Sequence, residues 1–307
     1  MQQNSPRVNE AVAGVALWKG AEVTVSQLSG GLTNENYLVE SGGRRYVMRI
    51  PGQSTELLSI DRPNEVYNTK AAASTGIGPR VLEHVAGLDV LVLEFIPGLT
   101  MSAKALHSIE MAARMASSFR RLHGAPRFLK DFNMFRLIEY YLGIVDQHQV
   151  VIPEGYRGWL PQIAAIERAV TARALRPVPC HNDLLCENFI DDGDMLRIVD
   201  FELSGNNDPC FDLGNTAQEA EFDQGLRAAL CQAYFGREDT RQLARMNLFG
   251  LMSDVGWTLW GAIQAKISAV DFDFRAYYTG RWERALGVLQ SELLPAWLEV
   301  AGAADQA

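Results

Sequence analysis

The chain has 307 residues, of which 48% are hydrophobic and 21% are charged. That is enough apolar material to bury the core of one large domain or two modest ones, which excludes a chain that is disordered as a whole. The 28 Lys and Arg residues against 37 Asp and Glu residues give a formal net charge of −9. We therefore expect no nucleic-acid partner, because a general binder of phosphate backbones carries excess positive charge.

The sequence predicts neither a membrane span nor a secretory signal. Its uncharged apolar runs fall short of the roughly 20 residues that a spanning helix needs. The short apolar stretch 11–18 follows Glu10 without a basic lead. The four cysteines show neither the density of a disulfide scaffold nor a Cys-x-x-Cys spacing. We therefore expect a cytoplasmic protein with reduced thiols.

The first 95 residues predict a small sheet with hairpin turns. The strand-like runs are residues 22–28, 36–39 and 45–50 and two runs within 81–95. A helix is predicted over 61–75, with Gly76 as its C-terminal stop. Ile96-Pro97-Gly98 then breaks the pattern, and we place a lobe boundary there, between residues 1–95 and 96–307.

Beyond that break the pattern is mainly helical. Apolar residues recur at steps of three and four, as at Ala112, Met115, Phe119 and Leu122. One stretch differs: residues 177–203 predict loops and short strands with an unusual density of polar side chains. The predicted fold class is α+β, with a β-rich first lobe and a mainly helical second lobe.

The polar stretch contains a spacing that suits phosphoryl transfer. Asp183 is followed by Asn188 and then, beyond a predicted short strand, by Asp200. Transfer from a nucleotide needs a carboxylate that accepts a hydroxyl proton, and oxygen ligands that hold Mg²⁺ between phosphates. These three side chains offer both kinds of group. Each alone is a common turn former, so the prediction depends on their joint spacing.

His-x-Asp, followed five residues after the Asp by Asn and later by Asp-Phe-Glu, resembles the catalytic signature of the protein-kinase-like fold. Asn182 and the final Glu202 make it similar to the aminoglycoside phosphotransferase and choline kinase branch, which phosphorylates small molecules. The resemblance implies that Asp183 is the catalytic base and that Asn188 and Asp200 bind Mg²⁺. Glu202 is a candidate second magnesium ligand.

Motifs for a nucleotide precede this signature. Residues 29–37 resemble the choline kinase nucleotide loop, which implies ATP-binding roles for Gly30, Gly31, Thr33 and Asn34. Arg49 stands where protein kinases carry their phosphate-pairing lysine, and Glu65 on the following helix is its candidate partner. Residues 91–98 resemble the interlobe hinge, whose backbone near Glu94 and Ile96 would hydrogen-bond adenine.

Motifs for the acceptor follow the signature. Residues 211–215 and 256–268 resemble choline and ethanolamine kinases specifically. Trp257 and Trp260 share one helix face, and with Tyr277 they resemble the family's aromatic pocket, where ring faces attract an ammonium group. Glu219 could add a carboxylate near that cation. Core packing is the alternative role for the two tryptophans.

The resemblance implies an enzyme that phosphorylates the hydroxyl group of choline or ethanolamine with ATP and Mg²⁺. Two alternatives stay open at this point. One is a kinase of another amino alcohol, of thiamine or of an aminoglycoside, and the other is a catalytically silent protein that binds nucleotide or choline. A homodimer is compatible with the sequence, which does not decide the oligomeric state.

Overall fold

A five-stranded antiparallel sheet forms the first part of the molecule, in the strand order β1-β2-β3-β5-β4. The computed structural model describes residues 5–28, 31–52 and 55–303. The first-part elements are α1 (Pro6–Gly14), β1 (Thr24–Gln27), β2 (Glu35–Ser41), β3 (Arg44–Ile50), α2 (Arg62–Ser74), β4 (Val81–Val85) and β5 (Val90–Glu94).

One face of this sheet is apolar and is covered by α1. Alternate residues of β2 and β3 point to that face, because successive side chains of a strand lie on opposite sides. Val39 and Met48 are fully buried there, together with Val92 of β5, and Val8 and Ala11 of α1 pack against the same cluster. Helix α1 and the sheet therefore share one buried apolar cluster, which supports the strands on either side of the β1–β2 segment.

Helix α2 begins where Asp61 accepts a hydrogen bond from the backbone N–H of Asn64 at 2.9 Å, and Pro63 lies in its first turn. Its apolar residues Ala71 and Ala72 pack into the large core of the second part of the chain. The helix thus connects the sheet to the helical part.

Helices dominate the rest of the chain. The helices are α3 (Ala103–Leu106), α4 (Ile109–His123), α5 (Met134–His148), α6 (Leu160–Ala172), α7 (Pro209–Glu219), α8 (Gln224–Phe235), α9 (Thr240–Ile267), α10 (Phe274–Leu289) and α11 (Leu293–Gly302). Helix α9 has 28 residues and is buried on every side along most of its length. It packs against α5, α7, α10 and α11.

Two small sheets interrupt the helices. They are formed by β6 (Leu99–Thr100), β7 (Val178–Cys180), β8 (Phe189–Asp191), β9 (Leu196–Ile198) and β10 (Gly205–Asn207), with β6-β8-β9 in one sheet and β7-β10 in the other. The segments 181–188 and 199–204 leave these strands side by side. That is how two separate polar motifs reach the same cleft.

The predicted α+β class and its division into sheet and helices are confirmed. The predicted helix over 61–75 is α2, and the periodic residues Ala112, Met115, Phe119 and Leu122 form the fully buried face of α4. The proposed lobe boundary at residue 95 follows the last residue of β5, although α2 shares its core with the second part. In the part of the chain that the structure describes, no helix combines the length and the apolarity that crossing a membrane requires.

At Gly214, α7 approaches α9 so closely that the position requires glycine. A Cβ atom at this position would lie 2.3 Å from the backbone oxygen of Met246 and 2.6 Å from the nitrogen of Gly250. We expect Gly214→Ala to lower the free energy of unfolding by about 1–3 kcal/mol, because two backbones would have to separate. Chemical denaturation measures this difference.

Gly287 on α10 supplies the matched control, because a Cβ atom there meets nothing within 4 Å. Gly287→Ala should leave stability unchanged or raise it by up to about 1 kcal/mol through helix propensity. Equal destabilisation by the two substitutions would contradict the proposed role of the α7–α9 contact.

Candidate active site

A buried carboxylate holds the segment that carries Asp183. Asp212, in the first turn of α7, is fully buried and accepts the backbone N–H groups of His181 at 2.9 Å and Asn182 at 2.8 Å. The His123 ring nitrogen Nε2 lies 3.1 Å from the same carboxylate. Because a charged acceptor forms strong hydrogen bonds with N–H groups, this contact sets the path of the loop.

Asn182 turns the chain so that Asp183 faces the cleft. Its φ angle is +69°, which L-residues adopt rarely and asparagine tolerates better than most. The buried Asn182 amide donates to the carbonyl of Leu203 at 3.2 Å and accepts from the Asn207 side chain at 2.9 Å. The backbone of the next residue is therefore constrained from both sides.

Asp183 is partly buried and lines a cavity of about 400 Å³, which we call the aromatic cavity. Burial raises the pKa of Asp183 to about 7, and the negative charges of Asp200 and Glu219 add to this effect, while Arg281 opposes it. A carboxylate of this kind is a better proton acceptor near neutral pH than an exposed aspartate.

The three candidate magnesium ligands meet at the same cavity. Asn188, Asp200 and Glu202 all line it. The Asn188 amide nitrogen donates to the backbone carbonyl of Asp183 at 2.8 Å, which leaves the amide oxygen for another partner. Asp200 has a φ angle of +73°. Two carboxylates and an amide oxygen are the donor set that a hard cation prefers.

An alternating chain of acids and arginines links this region to α2. Arg49 Nη1 lies 2.7 Å from Glu65 Oε1 and 2.7 Å from Asp200 Oδ1. Burial alone would lower the pKa of Arg49, but the carboxylates of Asp200 and Glu65 outweigh it and raise the pKa. Arg49 therefore stays charged beside the cleft.

Arg62 continues the same chain and is a residue that sequence reasoning missed. Its Nη1 atom lies 2.7 Å from Glu65 Oε2 and 3.4 Å from Glu202 Oε2, and its Nη2 atom donates to Asn34 Oδ1 at 2.8 Å. Asn34 in turn donates to Glu202 at 2.7 Å. Burial, with the charges of Asp200 and Glu65, raises the pKa of Glu202, and the two arginines oppose this.

A second cavity, of about 530 Å³, lies against the end of β5, and we call it the hinge cavity. Gly31, Arg49, Glu94 and Ile96 are among the predicted nucleotide residues that line it. Arg80 engages Glu94 twice, because its guanidinium contacts the side chain and its carbonyl accepts the Glu94 backbone N–H at 2.9 Å. Neither of these Glu94 groups is left to meet a base. The hinge cavity thus has an apolar end at β5 and a polar end at Asp200.

The remaining predicted nucleotide residues are placed differently. Gly30 lies outside the described residues. Thr33 lines the aromatic cavity, and among described residues the wall of the hinge cavity includes neither Asn34 nor Glu65. Gly31 has a φ angle of +93°, and a Cβ atom there would lie 2.6 Å from the carbonyl oxygen of Asn34. Its position therefore requires glycine.

Four aromatic rings contribute to the wall of the aromatic cavity. Trp257 and Trp260 of α9, Phe272 of the α9–α10 loop and Tyr277 of α10 all line it. The ring centroids of Trp260 and Tyr277 are 5.6 Å apart at a steep angle, and those of Phe272 and Tyr277 are 6.0 Å apart. These rings come from different elements, and Tyr277 lies edge to face with Trp260 and Phe272, so they offer π-faces and edges to one compact cation.

Glu219 does not face that cavity among the described residues. Its carboxylate accepts two hydrogen bonds from the buried Arg281, at 2.6 and 3.0 Å. The Arg281 guanidinium also lies 4.3 Å from the centroid of the Tyr277 ring. One cation of the protein therefore already occupies both the carboxylate and one face of that tyrosine.

Phe272 and Arg281 carried weak sequence signals. Phe272 lies in a short polar loop where an exposed aromatic residue is unusual, and that is the only indication of a binding role. Arg281 falls four residues after Tyr277, a spacing that places both on one face of α10. Neither signal predicts that the guanidinium binds Glu219, which lies on another helix.

The two cavities lie next to each other. Gly31, Glu187, Asn188 and Asp200 line both of them. A ligand in the hinge cavity would therefore extend its polar end toward Asp200, while a ligand in the aromatic cavity would reach the same point with Asp183 beside it. The arrangement suits transfer of a group from one ligand to the other at the shared wall.

We expect Asp212→Asn to lower both the thermal stability of the protein and its turnover. The new amide would direct an NH₂ group at one of the backbone N–H groups that Asp212 now accepts. Losing a charge-assisted hydrogen bond costs about 1.5–3 kcal/mol, which in a protein of this size corresponds to a fall in melting temperature of roughly 5 °C. Thermal denaturation and steady-state turnover measure the two effects.

The control for this substitution is Asp146→Asn, which removes an exposed ion pair with Arg157. Its melting temperature should stay within about 1 °C of the parent value, since exposed ion pairs contribute little. An Asp212→Asn protein with unchanged melting and unchanged turnover would refute the anchoring role of Asp212.

Comparison with known proteins agrees with this geometry. Residues 24–246 match the model of the phosphotransferase enzyme family. A solved choline/ethanolamine kinase family protein from Mesorhizobium loti is 33% identical, with a TM-score of 0.81, over 96% of this chain and 99% of that one. The choline kinase LicA from Streptococcus pneumoniae is 25% identical, with a TM-score of 0.78, over 92% of this chain and 97% of that one.

A curated relative gives the same result. Ethanolamine kinase 2 of Mus musculus is 27% identical over 304 residues, which cover 87% of this chain and 76% of the relative. The predicted resemblance is confirmed, and the chain belongs to the phosphotransferase enzyme family and, within it, to the choline/ethanolamine kinases.

Proposed function

We propose that the protein transfers the γ-phosphoryl group of ATP to the primary hydroxyl of choline, with ethanolamine as a poorer acceptor. The observation that carries this proposal is the aromatic cavity, whose wall combines four aromatic rings with the carboxylates of Asp183 and Asp200. A small alcohol with a cationic nitrogen would place its charge among the rings and its oxygen beside the carboxylates.

The nucleotide is assigned to the hinge cavity. Its base would lie against the apolar residues near Ile96, and its phosphates would pass between Gly31 and Arg49 toward Asp200. Arg49 contributes a buried positive charge at that point, held in place by Glu65. This places the terminal phosphate at the wall that both cavities share.

Magnesium fits the residues at that wall. Asn188, Asp200 and Glu202 would hold it, since they supply oxygen donors and excess negative charge. When bound, the ion neutralises phosphate charge and stabilises the transferring group. The Arg49–Asp200 and Arg62–Glu202 contacts orient the two carboxylates in its absence.

In the proposed reaction, Asp183 accepts the proton of the substrate hydroxyl as the oxygen bonds to the γ-phosphorus. The bond from that phosphorus to the β-γ bridging oxygen breaks, and ADP leaves with the electron pair. The products are the phosphate ester and ADP. Anchoring of the loop by Asp212 keeps Asp183 in position without further rearrangement.

The proposed preference for choline follows from the number of N–H donors that each ammonium group brings into the cavity. A primary ammonium brings three N–H donors that need acceptors when water is removed. Ring faces accept such bonds weakly, and the carboxylate of Glu219 is engaged by Arg281. A quaternary ammonium has no donors to satisfy, so its transfer into an aromatic cavity costs less.

The other acceptors fit less well. An aminoglycoside carries several amines and calls for a broad acidic groove, whereas this cavity holds about 400 Å³ and four aromatic rings contribute to its wall. A silent binding protein would not need a proton acceptor at the shared wall. The presence of Asp183, Asn188 and Asp200 together favours catalysis.

A coupled assay of ADP release with choline, ethanolamine, thiamine and an aminoglycoside tests the substrate. We expect choline to give the highest kcat/KM, at least about tenfold above ethanolamine, because of the desolvation cost above. Equal or better use of ethanolamine would overturn the choline preference. Stimulation by none of the four would favour a silent binding protein.

Asp183→Asn tests the base. It should lower kcat by about 10² or more, as expected for loss of a general base, while the affinity for Mg-ATP changes little. Asp194→Asn, in the exposed β8–β9 turn, is the control and should behave as the parent protein. Unchanged turnover of Asp183→Asn would refute the role assigned to Asp183.

Trp260→Leu and Phe272→Leu test the rings. Each ring contributes roughly 0.5–2 kcal/mol to binding an ammonium group, so the KM for choline should rise about 2- to 30-fold with a smaller change in the KM for ATP. Tyr67→Leu removes an exposed aromatic ring on α2, away from both cavities, and should change neither value. Equal effects on both KM values would contradict a specific role in binding the acceptor.

A further inference from the structure

Gln264 joins the helix that carries the tryptophans to the segment between β1 and β2. On α9 it follows Trp257 and Trp260 at a spacing that places all three on one face. Its side chain is 4% exposed, and its amide nitrogen donates to the backbone carbonyl of Leu32 at 3.0 Å. The bond connects residues that are 232 positions apart in the sequence.

Gln264 itself lines neither the hinge cavity nor the aromatic cavity in the part of the chain that the structure describes. Its bond partner does. Leu32 lies on the wall of the aromatic cavity, and the adjacent Gly31 lies on the walls of both. The position of this short backbone segment therefore affects the shape of both cavities at once.

The α9–α10 loop lies beside this contact. Val270 and Phe272 form a shallow groove together with Leu28 and Leu32. Phe272 also belongs to the aromatic cavity. Leu28, Gly31 and Leu32 thus lie opposite the α9–α10 loop, and the Gln264 amide donates a hydrogen bond from α9 to this segment.

We infer that Gln264 is a positioning residue that couples the binding of the two substrates, an inference that rests on the proposed function. An ammonium group seated against Trp257 and Trp260 contacts the face of α9 that carries Gln264 and favours the arrangement in which Gln264 meets Leu32. Gln264 then holds Leu32 where the nucleotide loop covers the phosphates. Coupling of this kind is reciprocal, so each ligand raises the affinity for the other by the same factor.

The test is calorimetric titration of a non-hydrolysable ATP analogue with Mg²⁺, in the absence and presence of saturating choline. In the parent protein, choline should tighten binding of the analogue about fivefold or more, within the usual range of coupling between sites. In Gln264→Met, which keeps the side-chain length and removes the donor, that factor should fall to less than about twofold. Choline titrated with and without the analogue should show the same loss.

Two further variants keep the result interpretable. Gln264→Asn retains the amide on a shorter side chain and should also lose coupling, so it replaces Gln264→Met if that protein does not fold. Gln232→Met changes an exposed glutamine of α8 and should keep the parent factor. A purely structural role for Gln264 would lower the melting temperature and leave the ratio of affinities unchanged.

The outcomes separate this inference from the proposed function. Choline that is turned over and bound by the parent protein, but without any effect on the analogue, overturns the coupling and leaves the function standing. A parental coupling factor in both Gln264 variants also overturns it. Absence of choline binding and turnover in the parent protein overturns both.

Discussion

The placement of the loop that carries Asp183 depends on one buried carboxylate. Asp212 takes the backbone N–H groups of His181 and Asn182, and Asn215 on the same helix accepts the N–H of Leu184 at 2.5 Å. These bonds attach the loop on either side of Asp183 to α7. Because α7 packs closely on the fully buried α9, the loop inherits the rigidity of the core.

The same core decides how charge is arranged across the cleft. Asp200, Arg49, Glu65, Arg62 and Glu202 form a continuous sequence of alternating charges that crosses from the second part of the chain to the sheet and α2. Each buried acid therefore has a cationic neighbour, which offsets the cost of its burial. Near Tyr277, Arg281 neutralises Glu219 in the same manner.

Local patterns in the chain were enough to predict much of this molecule. Strand alternation and helical periodicity depend on neighbours in the sequence, and the predictions for α2 and α4 are confirmed for that reason. The spacing from Asp183 to Asn188 also implied their proximity, since both lie on one short loop. Motif order along the chain was sufficient to indicate the family.

Contacts between distant segments could not be predicted in this way, because a hydrogen bond or an ion pair depends on how the elements pack and not on their order. Nothing near Glu219 in the sequence shows that Arg281 neutralises it, and nothing near Leu32 shows that it meets Gln264. Composition and motifs thus established the fold class and the type of chemistry. Packing of elements that are distant in the sequence established which charges are already paired within the protein.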